Sequence, residues 1–187
     1  MDFKGLIPAL ESGEIDVIIA GMSPTAERAL TINFSQEYYR SEQVMVARAN
    51  GDYAQATTLN DFTGARIAAQ IGTLQESLMN QINQASKQSL NDYPSLGLAL
   101  STNAIDGFIA ELPVAQGMAA TNSNFKIIRF AANQGFTVSD EDIIVSVGLR
   151  KADEDLLSKV NAALALISSE TRNQMMEAAL ARQPKEA

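Results

Sequence analysis

The 187 residues are 46% hydrophobic and 19% charged, the make-up of a soluble globular chain and not of a disordered, collagen-like or membrane-embedded one. Fourteen Lys and Arg against 22 Asp and Glu leave a net charge of -8, the wrong sign for holding nucleic acid by neutralising its phosphates. With neither Cys nor His there is no disulfide framework, thiolate nucleophile, zinc-thiolate site or imidazole base, so most hydrolase chemistry is excluded and binding, which needs none of these, is favoured.

The chain opens on Met1-Asp2-Phe3-Lys4-Gly5, without the basic and apolar regions of a signal peptide, and no apolar run approaches the roughly 20 residues of a membrane span. Phe3, Leu6, Ile7 and Leu10 recur at helical spacing, and the apolar run of residues 15–20, broken only by Asp16, predicts a buried strand. Residues 44–47 predict a second strand and residues 66–69 a third. A helix starts directly after it, where Thr73 and Glu76 stand in the spacing of a capping box.

Residues 95–100 read as a short helix, 105–110 as a strand and 114–120 as a helix with Pro113 in its first turn, where proline is tolerated. Strands follow at 126–130 and 142–149. Of two final helical patterns, one uses Leu156, Leu157, Val160, Leu164 and Ile167; the other, from Ser169, turns Met175, Met176, Ala179 and Leu180 inward before Pro184 ends it. The alternation predicts an α/β fold with a largely parallel sheet, whose ligands sit beyond the carboxyl ends of strands.

That rule singles out three places. The segment from Gly21 through Ser23 to Arg28 offers hydroxyls and a guanidinium, a planar bidentate partner for a carboxylate, although a loop arginine is more often a solvated charge. Gly72 and Thr73 open a helix whose free N–H groups suit an anion, although a capped helix start needs no ligand, and the absence of GxGxxG and GxxxxGK[ST] argues against a nucleotide. Glu111 closes a strand where a cation could meet it, or where a turn residue could simply be solvated. Together an arginine, an anion-binding helix end and a carboxylate complement a zwitterion. The acidic runs 140–142 and 153–155 lack the calcium-loop pattern and read as solvated faces, so no metal or cofactor is expected.

The order of motifs resembles the solute-binding proteins of bacterial ABC importers for polar amino acids, family 3, with the type II periplasmic-binding-protein fold. The resemblance runs through residues 3–16 and 18–23, Glu27-Arg28, Asn33-Phe34-Ser35, Tyr38-Tyr39, Gly72-Thr73, Ile105-Asp106, residues 111–115 and the helix 156–164. It implies a two-lobed α/β protein, residues 1–43 and 144–187 forming a discontinuous lobe 1 and residues 44–143 lobe 2, with hinges near 41–45 and 144–149. It implies that Arg28 and Ser23 grip the ligand's carboxylate, helped by the N–H groups of Gly72 and Thr73. Glu111 and the backbone near Gly21 would take the ammonium, Gln70 would touch the ligand's side chain, and the ligand would bind between the lobes. Glu111 departs from the aspartate many members carry there.

The family usually begins with a strand, a helix and a second strand before the segment matching Asp2-Phe3, so the resemblance implies an N-terminally truncated lobe 1. It also implies exposed sheet edges, for which dimerisation or strand exchange is the expected remedy. The implied function is capture of a polar or basic amino acid outside the cytoplasmic membrane, by a periplasmic protein or cell-surface lipoprotein, for a membrane-embedded ABC permease. Two other roles fit the same fold: a receptor's ligand-sensing domain, and a cyclohexadienyl or prephenate dehydratase-like enzyme, for which no distinctive catalytic set is present.

Overall fold

In the computed structural model, which describes residues 1–183, the chain forms two compact units. Unit 1 comprises Met1–Ser41 and Val138–Ala179; unit 2 comprises Glu42–Thr137 and residues 180–183 of the described chain. The fold is α/β, with the elements of each unit set by different degrees of burial.

Unit 2 carries five strands: β2 (Gln43–Arg48), β3 (Arg66–Gln70), β4 (Ser86–Leu90), β5 (Gly107–Glu111) and β6 (Phe125–Ile128), in the order β4-β3-β5-β2-β6. β3 lies parallel to β4 and β5, whereas β2 runs antiparallel to β5 and β6. The sheet is therefore mixed, not largely parallel as expected, because β2 brings the chain into the unit against the direction of its neighbours. β2 and β3 read as nearly continuous apolar runs because both faces of the sheet are covered. Helices α4 (Tyr93–Ser101) and α5 (Leu112–Thr121) help close a core of Val44, Val46, Leu96, Leu100, Phe108 and Phe125. At Gly107 a Cβ would stand 2.9 Å from the movable sulfur of Met45 and 3.2 Å from the Val46 carbonyl of the paired strand, a tight fit that glycine relieves.

Unit 1 is thinner. A helical turn at Phe3–Gly5 leads into α1 (Leu6–Ser12), which stops at Gly13 in the left-handed region with φ 78°. α2 (Ala26–Thr31) precedes β1 (Asn33–Arg40), which pairs antiparallel with β7 (Ile144–Leu149). Leu10, Ile18, Met22 and Ile32 form the core on one side of this pair, with Phe3, Leu6 and Phe34 packed around them. The Arg150 guanidinium donates to the carbonyls of Leu10 and Ile15 and pairs with Asp153 at 2.7 Å, tying the α1 turn to the end of β7.

The strand expected over residues 15–20 is reduced to a single bridge, Ile18 to Gly148. Its other edge faces no strand among the described residues, and a segment paired on one side only does not extend. β1 was not expected. Its register with β7 shifts between Phe34 and Glu37 and again between Glu37 and Tyr39, which breaks the alternation that would have announced it. β4 and α2 were missed too, since β4 is a polar edge strand and α2 spans only six residues.

The closing helices α6 (Glu154–Ala165) and α7 (Ser169–Ala181) form where the periodicity places them, but neither fully buries a residue. Met175, expected to point inward, is 58% exposed, and Ala179 is exposed as well. The expected stop at Pro184 lies outside the described residues.

Candidate functional site

The residues singled out above fall into two sets, one in each unit. In unit 1, Ala20 and Gly21 follow the Ile18 bridge, and the turn they begin is held by the Met22 N–H donating to Ala20 O at 2.7 Å. Gly21 is exposed and Ser23 is buried, its hydroxyl donating to the carbonyl of Asp142 at 3.1 Å. Thr25 caps α2 by accepting from the Arg28 N–H. That cap fixes Arg28 in the first turn of α2. Its guanidinium donates to the Ser23 carbonyl at 2.9 Å and stands over the Phe3 ring, 5.5 Å from its centre. Unit 1 therefore brings Ser23 and Arg28 together on a short and mutually braced segment.

In unit 2, the polar residues lie at the carboxyl ends of β3 and β5. Gln70 ends β3 and donates to the Asn91 carbonyl at 3.0 Å, and Thr73 bonds the Gln70 carbonyl at 2.6 Å. Thr73 caps α3 (Leu74–Leu78), accepting from the Glu76 N–H, while Gly72 has a φ of 77° that glycine adopts without strain. The Glu76 carboxylate completes the motif in an unexpected way: it accepts from the Gly72 N–H at 2.8 Å. The Thr73 N–H is directed at the Gln70 carbonyl at 3.4 Å. The two N–H groups assigned to a ligand are engaged within the unit, and the helix end already holds a carboxylate of its own.

Glu111 ends β5 and is 7% exposed, an unusual burial for a carboxylate. It stands in register with Gln43 on β2. Tyr93, half-buried at the start of α4, has its phenol pKa pushed well up, first by burial and then by the negative charge of Glu111.

Two residues that the sequence reading did not single out join this set. Gln75 and Gln43, 4% and 6% exposed, share a side-chain hydrogen bond of 2.8 Å from Gln75 Nε2 to Gln43 Oε1. Gln43 Nε2 is left buried with no partner among the described residues. A polar residue at the start of an apolar strand was the available signal. A buried carboxylate, two buried amides and an unanswered N–H donor equip this end of the sheet to hold a small polar molecule through both charge and hydrogen bonds. Among the described residues there is no group of acidic side chains fit to hold a metal ion, and no helix long and apolar enough to cross a membrane.

Comparison with known proteins gives a consistent picture. The model of the bacterial extracellular solute-binding proteins, family 3, matches residues 1–179. The "Probable histidine-binding protein" of Campylobacter jejuni is 42% identical over 121 residues, covering 65% of this chain and 46% of the relative. The arginine-binding extracellular protein ArtP of Bacillus subtilis is 29% identical over 170 residues, covering 88% of this chain and 62% of the relative. The chain thus spans about half to three fifths of the length of these relatives. Among solved structures, an amino-acid ABC transporter substrate-binding protein from Streptococcus pneumoniae, bound to L-arginine, superposes with a TM-score of 0.87 at 28% identity, covering 97% of this chain and 74% of that one.

Proposed function

Because the chain belongs to the bacterial extracellular solute-binding proteins of family 3, we propose that it is the amino-acid-binding component of an ABC importer, acting outside the cytoplasmic membrane and delivering its ligand to a membrane permease. The observation that carries this reading is the chemistry of the two sets: a braced Arg28 beside Ser23 in unit 1, and a buried Glu111 in unit 2. An α-amino acid carries one group for each. In unit 1, Arg28 is suited to the carboxylate, joined by the Ser23 hydroxyl once it leaves the Asp142 carbonyl, and the Gly21 backbone is suited to the ammonium; in unit 2, Glu111 is suited to the ammonium. Gln70 contacts the ligand's side chain. Gly72 and Thr73 add their N–H groups once Glu76 and the Gln70 carbonyl release them.

A basic amino acid is the favoured ligand. Histidine and arginine are the solutes in the names of the two relatives described above, and L-arginine is bound in the Streptococcus structure. The charge of -8 attracts a cationic solute over longer distances. Binding, and not turnover, is what the family's description states, which favours capture over a dehydratase. The permease partner and the extracytoplasmic site of action follow from that family role. A dimer formed by strand exchange belongs to the same reading only as a remedy for the sparse sheet of unit 1.

The test is a thermal-shift panel of all twenty amino acids. Arginine or histidine at about a hundred times its dissociation constant should stabilise the chain by about 2.7 kcal/mol. Arg28→Ala should remove the shift and Arg28→Lys should keep part of it. No shift with any amino acid, from a chain that melts cooperatively, overturns the proposal.

A further inference from the structure

The end of the unit 2 sheet keeps a hydrogen-bond donor that the roles assigned above leave unused. Gln43 opens β2 and stands directly across from Glu111, the last residue of β5. Side chains paired in this way rise from the same face of a sheet, with their Cβ atoms about 5 Å apart. That face is opposite the one that packs Val44, Val46, Phe108 and Ala110 into the core, because neighbours along a strand alternate. The Gln43 amide and the Glu111 carboxylate therefore come up side by side, both almost wholly withdrawn from solvent.

The amide is only half used. Its Oε1 accepts from Gln75 Nε2 at 2.8 Å, which fixes the orientation of the group: turned over, Gln43 would set its own NH2 against that of Gln75. What remains is Nε2, a buried donor with no partner among the described residues. Such a donor bears the full loss of its hydration, and an acceptor that arrives beside it recovers that loss.

The acceptor follows from the ligand's chemistry, on the reading that the ligand is a basic amino acid whose ammonium Glu111 holds. An arginine side chain carries donors and no acceptor, so the acceptors that free arginine brings are its carboxylate oxygens. The carboxylate is bonded to the same carbon as the ammonium, so an ammonium seated on Glu111 brings an oxygen to the residue beside Glu111. We infer that Gln43, oriented by Gln75, donates through Nε2 to the ligand's carboxylate and is a specificity-determining residue. It lets unit 2 by itself read the ammonium and the carboxylate together, which favours an α-amino acid over a plain amine. The inference rests on the transport reading and adds to it a carboxylate contact that does not involve Arg28.

The experiment is calorimetric titration of the 187-residue chain with two pairs of probes, L-arginine with agmatine and L-histidine with histamine, in which the amine is the amino acid without its carboxylate. Gln43→Glu removes the donor yet keeps an acceptor for Gln75, and Gln43→Met removes both. Each variant should weaken the amino acid that binds by about tenfold or more, and should not weaken its decarboxylated counterpart, so that the ratio of the two affinities falls. A merely structural amide would move both affinities together and lower the urea midpoint of the free chain. That result, or an amino-acid affinity unchanged in both variants, overturns the inference and leaves the transport reading standing. A wild-type chain that binds neither amino acid overturns it together with the basic-ligand reading on which it rests, so the wild type tells the two failures apart.

Discussion

Units 1 and 2 draw on the same amino-acid alphabet and both combine strands with helices, yet only unit 2 closes. Its sheet has five strands with buried runs at its centre, and its largest core side chains, Phe62 and Phe108, are wholly inaccessible. Unit 1 has two paired strands and a bridge, and its two longest helices bury nothing completely. A helix stripe is an offer of burial and not burial itself. What redeems it is the number of strands behind it, because each added strand both pairs an edge and supplies apolar side chains to a face.

The largest way to sharpen this contrast is Phe108→Ala. Phe108 is 0% exposed and makes edge-to-face contacts with Tyr93 and Phe125, so truncation should cost about 3–5 kcal/mol in the urea unfolding of unit 2. A loss under about 1 kcal/mol would mean that unit 2 is no better packed than unit 1.

The next effect is electrostatic. Asp106 accepts from the side chain and backbone of Arg66 and from Arg48, and these bonds, that of the Arg66 side chain foremost, hold its pKa down at about 2 against an opposing cost of burial. A carboxylate with a depressed native pKa stabilises fully above its unfolded value near 3.8 and ceases to do so as pH falls through its native value. Unit 2 should therefore lose about 2 kcal/mol between roughly pH 4 and pH 2, by circular dichroism in urea, and Asp106→Asn should flatten that slope.

Met176→Ala should have the smallest effect. The side chain lines an open apolar groove of about 500 Å³ in unit 1 together with Val17, Ile19 and Val160, so removing it creates little new cavity, and the chain should lose less than about 1 kcal/mol by the same urea titration. A cost of several kcal/mol would show that the groove is filled in solution and that the two units are equally closed.

How far the sequence spoke depended on the same contrast. β2, β3 and β5 announced themselves through uninterrupted apolar runs, since both faces of the unit 2 sheet are covered. β1 hid because two register shifts scramble its alternation, and β4 because an edge strand of Ser86, Lys87, Gln88 and Ser89 needs no apolar face. The run at 15–20 was over-read for the opposite reason: it has the composition of a strand but only one neighbour. At the candidate site, chain order puts Thr73 just after β3 and Glu111 at the end of β5, whereas Ser23 and Arg28 follow a run that forms only the Ile18 bridge and are held by the Thr25 cap of α2 instead. Gln43 and Gln75 were not legible from chain order, since their meeting is a tertiary event between residues 32 apart in sequence. The capping partner of Glu76 was likewise legible as a type of interaction and wrong as an atom, because Gly72 with its positive φ turns its own N–H toward the carboxylate.

That last contact gives the chain a tethered understudy. The Glu76 carboxylate cannot diffuse away from Gly72, so it competes at the high effective concentration that a short covalent link confers. A free carboxylate reaching for that amide sees an affinity scaled down by the small fraction of time the glutamate has swung aside. While the glutamate is in place the amide keeps a charged partner at 2.8 Å and the backbone turn keeps its shape. Shortening the side chain by Glu76→Asp or neutralising it by Glu76→Gln trades that readiness against affinity.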